Sequence, residues 1–82
     1  MTPAATDENV SALLAEFFAV PRERLSPETS LDELGLDSLL AVELVFELEE
    51  RFGVSIPNER AARLRTVKEI SQGVRALQEA AS

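Results

Sequence analysis

The residues best placed to do chemistry are Asp37 and Ser38, within the run Leu34-Gly35-Leu36-Asp37-Ser38-Leu39. A serine hydroxyl becomes a nucleophile only when a neighbouring base takes its proton. This chain contains no His and no Cys, and Lys68 is its only Lys. The side chain most often used as a base near neutral pH is therefore missing, along with the usual zinc ligands and any thiol belonging to the protein itself. On residue types alone, Asp37-Ser38 reads as a helix start. Either side chain can accept a hydrogen bond from a free amide of the first turn, and a negative Asp suits the positive end of a helix. If Ser38 reacts, another protein must activate it.

The charge around this hydroxyl is lopsided. The chain has 15 acidic and 8 basic side chains, a net charge of −7. Eight of the acids (Glu28, Asp32, Glu33, Asp37, Glu43, Glu47, Glu49 and Glu50) fall in one stretch without a Lys or Arg, and the rest of the chain sums to +1. Such a field draws in basic surfaces, weakens with salt, and argues against nucleic acid as a partner.

The elements that must hold Ser38 follow from periodicity. Eighty-two residues, 45% apolar and 28% charged, suit one soluble globular domain over 1–82. No apolar run approaches a membrane span, and the start lacks the pattern of a signal peptide, so a cytoplasmic protein is expected. Val10, Leu13, Leu14, Phe17 and Phe18 have the spacing of an amphipathic helix starting near the cap candidates Thr6 and Asp7. A long connection follows, about Val20 to Asp37, in which Ser30 could cap a short turn over Leu31–Leu34. Leu25, Leu31, Leu34 and Leu36 would anchor it. A second helix is predicted from about Ser38 to Arg51, stopping at Gly53, and Pro57 opens a brief one, Asn58 to Leu64. Thr66 and Glu69 form a capping box for a last helix whose Val67, Ile70, Val74 and Leu77 face inward, with Gly73 a mild weak point. The expected fold is all-α, a small four-helix bundle of three longer helices and one short third helix, with a long first loop.

The second helix carries two apolar faces. At 100° per residue, Leu44, Leu48, Ala41, Phe52 and Val45 share one sector, the core face. Leu39, Val42 and Phe46 share another, flanked by Glu49 on one side and by Glu43, Glu47 and Glu50 on the other. A bundle wrapped round both faces would bury this strip. Buried faces are seldom bordered by unpaired Glu, so a docking surface is expected, with an apolar centre for affinity and an acidic rim for steering.

Leu34-Gly35-Leu36-Asp37-Ser38-Leu39, then Val42-Glu43-Leu44, then Leu48-Glu49-Glu50-Arg51-Phe52-Gly53-Val54-Ser55-Ile56-Pro57, resembles the acyl carrier protein family over nearly the whole chain. The resemblance implies that Ser38, in its Asp37-Ser38-Leu39 motif, receives phosphopantetheine from coenzyme A. A phosphopantetheinyl transferase and magnesium would make the attachment. It also implies acyl cargo held as thioesters on the arm's thiol, which suits a chain with no Cys, and no catalysis by the chain itself. Leu39, Val42, Glu43, Phe46, Glu49 and Glu50 would then meet basic patches on partners. Those partners are the transferase, an acyl- or aminoacyl-loading ligase or transferase, and synthase or tailoring enzymes. A monomer is expected, and a free-standing carrier rather than a domain of a larger synthase.

Departures from the family's pattern refine this. Asp37 stands where peptidyl carriers more often have His, which favours acyl cargo over the peptidyl or aminoacyl alternative. Leu36 and Leu40 look more like polyketide or secondary-metabolic carriers than the housekeeping fatty acid one. Arg60, Arg63 and Arg65 stand where fatty acid carriers tend to be acidic. They are either a solvated helix face or determinants of partner choice. Phe17, Leu44, Leu48 and Ile56 could line a cargo cavity or be plain core. A small interaction bundle that never carries cargo is the rival from another class. A calcium module is poorer, since Asp32, Glu33 and Asp37 lack a loop site's ligand spacing.

Overall fold

The computed structural model describes residues 3–81. Four α-helices follow in order: α1 (Pro3–Phe18), α2 (Ser38–Phe52), α3 (Asn58–Ala61) and α4 (Val67–Ala81). Two 3-10 turns, Arg22–Arg24 and Asp32–Leu34, lie in the long α1–α2 connection. Among the described residues there is no strand; one antiparallel bridge joins Ser30 to Thr66. The expected all-α bundle of three longer helices and a short third one is what forms. No described helix is long and apolar enough to cross a membrane.

The core is built from every element that periodicity pointed inward. Val10, Leu13 and Leu14 of α1, Leu44 and Leu48 of α2, and Val67, Ile70 and Val74 of α4 are buried, joined by Leu31 and Ile56 from the connections. Leu25, Leu34 and Leu36 are half-buried against that core, so the four leucines do anchor the long loop. The loop is also strapped to the start of α4. Leu31 N–H donates to the Arg65 carbonyl (2.9 Å), while Val67 and Lys68 N–H donate to the Thr29 and Pro27 carbonyls (3.1 and 3.0 Å). Two amides that α4 would leave unsatisfied are thereby paired.

Helix ends differ in places from the sequence reading. Helix α1 starts before Thr6, so Thr6 is not its cap. Its side chain is taken in between helices, 2% exposed, and its hydroxyl meets Gln78 Oε1 on α4 at 3.4 Å. The helix ends without a glycine. Ala19 adopts the left-handed conformation (φ 56°), and Val20 N–H reaches back to the Ala15 carbonyl at 3.0 Å. At the end of α2, Gly53 (φ 65°) takes the same conformation at no steric cost, its N–H donating to the Glu49 carbonyl at 2.9 Å. Helix α3 stops at Ala61, short of Leu64, and hydrogen-bonded turns carry the chain on. The capping box of α4 is skewed. Glu69 N–H donates to Thr66 Oγ1 (3.2 Å), but Glu69 Oε1 accepts from the Arg65 N–H (3.1 Å) rather than from that of Thr66.

Candidate functional site

Asp37 does the capping at the start of α2. Its backbone is extended, and its Oδ1 accepts the Leu40 N–H at 2.8 Å while its carbonyl accepts the Ala41 N–H at 2.8 Å. Of the two residues that could cap the helix, Asp37 is the one used. Ser38 is the first residue of the helix and is exposed, and among the described residues nothing bonds to its hydroxyl. An exposed hydroxyl at a helix N-terminus is a place where a phosphoester is electrostatically favoured. Ser38 is exposed, so a large substituent on its hydroxyl projects towards solvent. The residues present therefore fit a covalently attached phosphate-bearing group.

The two apolar faces of α2 separate as expected. Leu44 and Leu48 are buried and Val45 and Phe52 pack on the core, whereas Leu39, Val42 and Phe46 are 69%, 54% and 62% exposed. The bundle does not wrap round both faces. Glu43, Glu47 and Glu50 stand exposed beside the strip. Glu49 differs from them. It is half-buried, and its Oε2 accepts the Ile56 N–H at 2.7 Å, which ties α2 to the segment leading into α3.

A cleft of about 480 Å³ opens between α2, α3 and the loop before Ser38. Its floor is core: Leu31, Leu44, Leu48, Ile56 and Ile70. Leu36, Ala41, Val42 and Phe46 line it on the α2 side, and Ala61, Ala62 and Leu64 on the α3 side. Ala41 and Val42 follow Ser38 by three and four residues, so the α2 wall begins one helical turn from the hydroxyl, on the same side. Leu44, Leu48 and Ile56 thus do line a cavity. Phe17 lies elsewhere, edge-on to Phe18 with ring centres 5.0 Å apart. Beyond the cleft, Arg60, Arg63 and Arg65 are exposed, and none has a carboxylate within ion-pair distance among the described residues.

An exposed hydroxyl beside an apolar cleft suits a carrier of covalently held cargo, and comparison with known proteins decides the matter. Residues 8–74 match the family described as "Phosphopantetheine attachment site". The chain belongs to the acyl carrier protein family. It is 45% identical over 71 residues to an acyl carrier protein of Syntrophobacter fumaroxidans, covering 85% of this chain and 88% of that one. It is 45% identical over 64 residues to one of Thermosynechococcus vestitus, covering 77% and 79%. A crystal structure of an acyl carrier protein from Thermotoga maritima superposes with a TM-score of 0.68 at 26% identity, covering 89% of this chain and 94% of that one. Acyl carrier proteins are carriers without catalytic activity, and the match implies a covalently attached phosphopantetheine.

Ser30 caps the short turn as expected, but three details were not read from the sequence: the return bond to Glu33, the Glu49–Ile56 tie and the space that Gly73 leaves for Leu64. Ser30 and Glu33 form a reciprocal capping box, with Ser30 N–H donating to Glu33 Oε1 (3.1 Å) and Glu33 N–H to Ser30 Oγ (3.2 Å). The Ser-x-x-Glu spacing could have shown it. The Glu49–Ile56 tie has no local signal, because its partners lie seven residues apart across a helix end. The third is Gly73, which a side chain would drive against Leu64.

Proposed function

We propose that Ser38 is the residue that carries phosphopantetheine, and that the chain delivers acyl thioesters to partner enzymes of a polyketide, fatty acid or related pathway in the cytoplasm. The observation that carries this is the division of labour at the start of α2. Asp37 caps the helix and leaves the neighbouring hydroxyl exposed and, among the described residues, unbonded. When bound, the group supplies the thiol that this chain lacks, on a tether that keeps cargo at high effective concentration near a docked active site. The chain's own residues do the rest. Asp37 fixes the first turn, with Leu39 beside the attachment point. Leu39, Val42 and Phe46 give an apolar docking strip, and Glu43 and Glu50 with Glu47 steer basic partner surfaces onto it. Glu49, counted with the rim from sequence, acts mainly by holding α2 to the α3 segment. The cleft shelters the cargo, since its α2 wall starts one turn from Ser38.

The partners we infer are a phosphopantetheinyl transferase, an acyl-loading ligase or transferase, and synthase or tailoring enzymes with basic docking patches, met by a monomeric carrier. Leu36 and Leu40 and the exposed Arg60, Arg63 and Arg65 favour a polyketide-type or secondary-metabolic role over housekeeping fatty acid synthesis. Incubation with acyl-coenzyme A, magnesium and a broad-specificity transferase tests the carrier role. The acyl group should stay on the protein in a hydroxylamine-labile form, and Ser38→Ala should retain none. Acyl retention by Ser38→Ala would refute the assignment.

A further inference from the structure

A glycine inside a helix is unfavourable relative to alanine unless something requires it. Gly73 lies in the middle of α4, buried, and no left-handed backbone explains it. The requirement is space. A Cβ at position 73 would lie 3.0 Å from Leu64 Cδ2, so the leucine tip would have to give way by a few tenths of an ångström. Leu64 is half-buried on the link from α3 to α4, and it also lines the cleft, whereas Gly73 does not reach the cleft itself. The missing side chain is thus a notch in α4 that receives the tip of Leu64. On one side Leu64 meets α4, and on another it faces the unfilled cleft, so filling the notch pushes it towards the cleft.

We propose that Gly73 is a positioning residue for cargo selection: by letting Leu64 withdraw against α4, it sets the depth of the cleft and so the length of acyl chain that the carrier shelters. This rests on the reading of the cleft as the cargo shelter. Gly73 and Leu64 lie on α4 and on the link before it, outside the attachment motif, and Val42 and Phe46 of the docking strip line the same cleft as Leu64.

The test uses the full chain loaded with butyryl through dodecanoyl groups, with the melting temperature of each acylated form compared with that of the same variant's unacylated holo form. A chain sheltered only in the folded state raises stability, whereas one left in water does not. In the parent the gain should grow with chain length and reach a maximum. In Gly73→Ala the maximum should move to a shorter chain, and in Leu64→Ala to a longer one. Gly73→Ala combined with Leu64→Ala should lose the shortening, because the added methyl no longer meets the leucine tip. Should Gly73→Ala fold poorly, recovery of folding in the double variant supports the same contact, and its absence overturns the proposal. A Gly73→Ala carrier with the parent's chain-length profile would also overturn it. A parent whose melting temperature ignores chain length would remove the shelter reading itself, and the proposal with it.

Discussion

Asp37 Oδ1 accepts the Leu40 N–H at 2.8 Å, and that bond releases Ser38 from structural duty. The consequence is measurable in stability alone. Asp37→Ala should destabilise the fold by about 1 kcal/mol, the usual worth of an N-cap. Asp37→Asn, which can still cap, should cost less. Ser38→Ala should stay within about 0.5 kcal/mol of the parent, as for an exposed side chain with no partner among the described residues. Urea melts of the three variants decide it, and a Ser38→Ala loss equal to that of Asp37→Ala would show the cap to be shared.

Glu49 separates from its acidic neighbours by the same kind of measurement. Removing the acceptor of the partly buried Ile56 N–H should cost about 1–3 kcal/mol in Glu49→Ala. Glu47→Ala and Glu50→Ala, whose side chains are exposed, should fall within about 0.5 kcal/mol of the parent. Equal losses at all three positions would contradict the tie between α2 and the α3 segment.

How much was legible in the sequence depended on how local each cause is. The division of α2 into a core face and an exposed strip came from helical periodicity, and Leu39, Val42 and Phe46 are solvent-facing as that periodicity required. Gly53 marked the end of α2 because glycine tolerates the left-handed conformation. Ala19 gave no such mark at the end of α1. The same conformation there is imposed by the surrounding structure rather than preferred by the residue. Thr6 looked like a cap, but its surroundings are set by α4, distant in sequence. The cleft was beyond reach for a related reason. Its walls combine residues from Leu31 to Ile70, and only the folded chain brings them together.

Ala19 yields a prediction of its own. A left-handed residue other than glycine carries a steric cost of roughly 1–2 kcal/mol. Ala19→Gly should recover part of it and stabilise the protein by about 0.5–1 kcal/mol, less what the freer unfolded chain takes back. Thermal unfolding would check the sign, and destabilisation would contradict this account of the α1 end.

The docking strip and its rim should respond differently to salt. Leu39→Ala should leave stability nearly unchanged, since the side chain is 69% exposed, while weakening transfer to partner enzymes. Charge reversal at Glu43, Glu47 or Glu50 should slow partner association at low salt and lose its effect as salt rises. Stopped-flow association across a salt series separates the two, and rates that are flat with salt in the parent would rule out steering.

Arg60, Arg63 and Arg65 should sort partners rather than hold the fold. Reversing each to Glu should change stability by less than about 0.5 kcal/mol, because none is ion-paired among the described residues. The same changes should alter the ratio of acyl transfer between a fatty acid and a polyketide partner. An unchanged ratio would leave the three as solvated surface charges.

The central claim concerns one hydroxyl, and intact mass tests it most directly. Purified protein and its Ser38→Ala variant are incubated with coenzyme A, magnesium and a broad-specificity phosphopantetheinyl transferase, then weighed. The account predicts that the parent gains one phosphopantetheine, recovered on the fragment containing Ser38, and that the variant gains none. A folded parent that gains nothing from an active transferase, or a variant that gains as much as the parent, would contradict it.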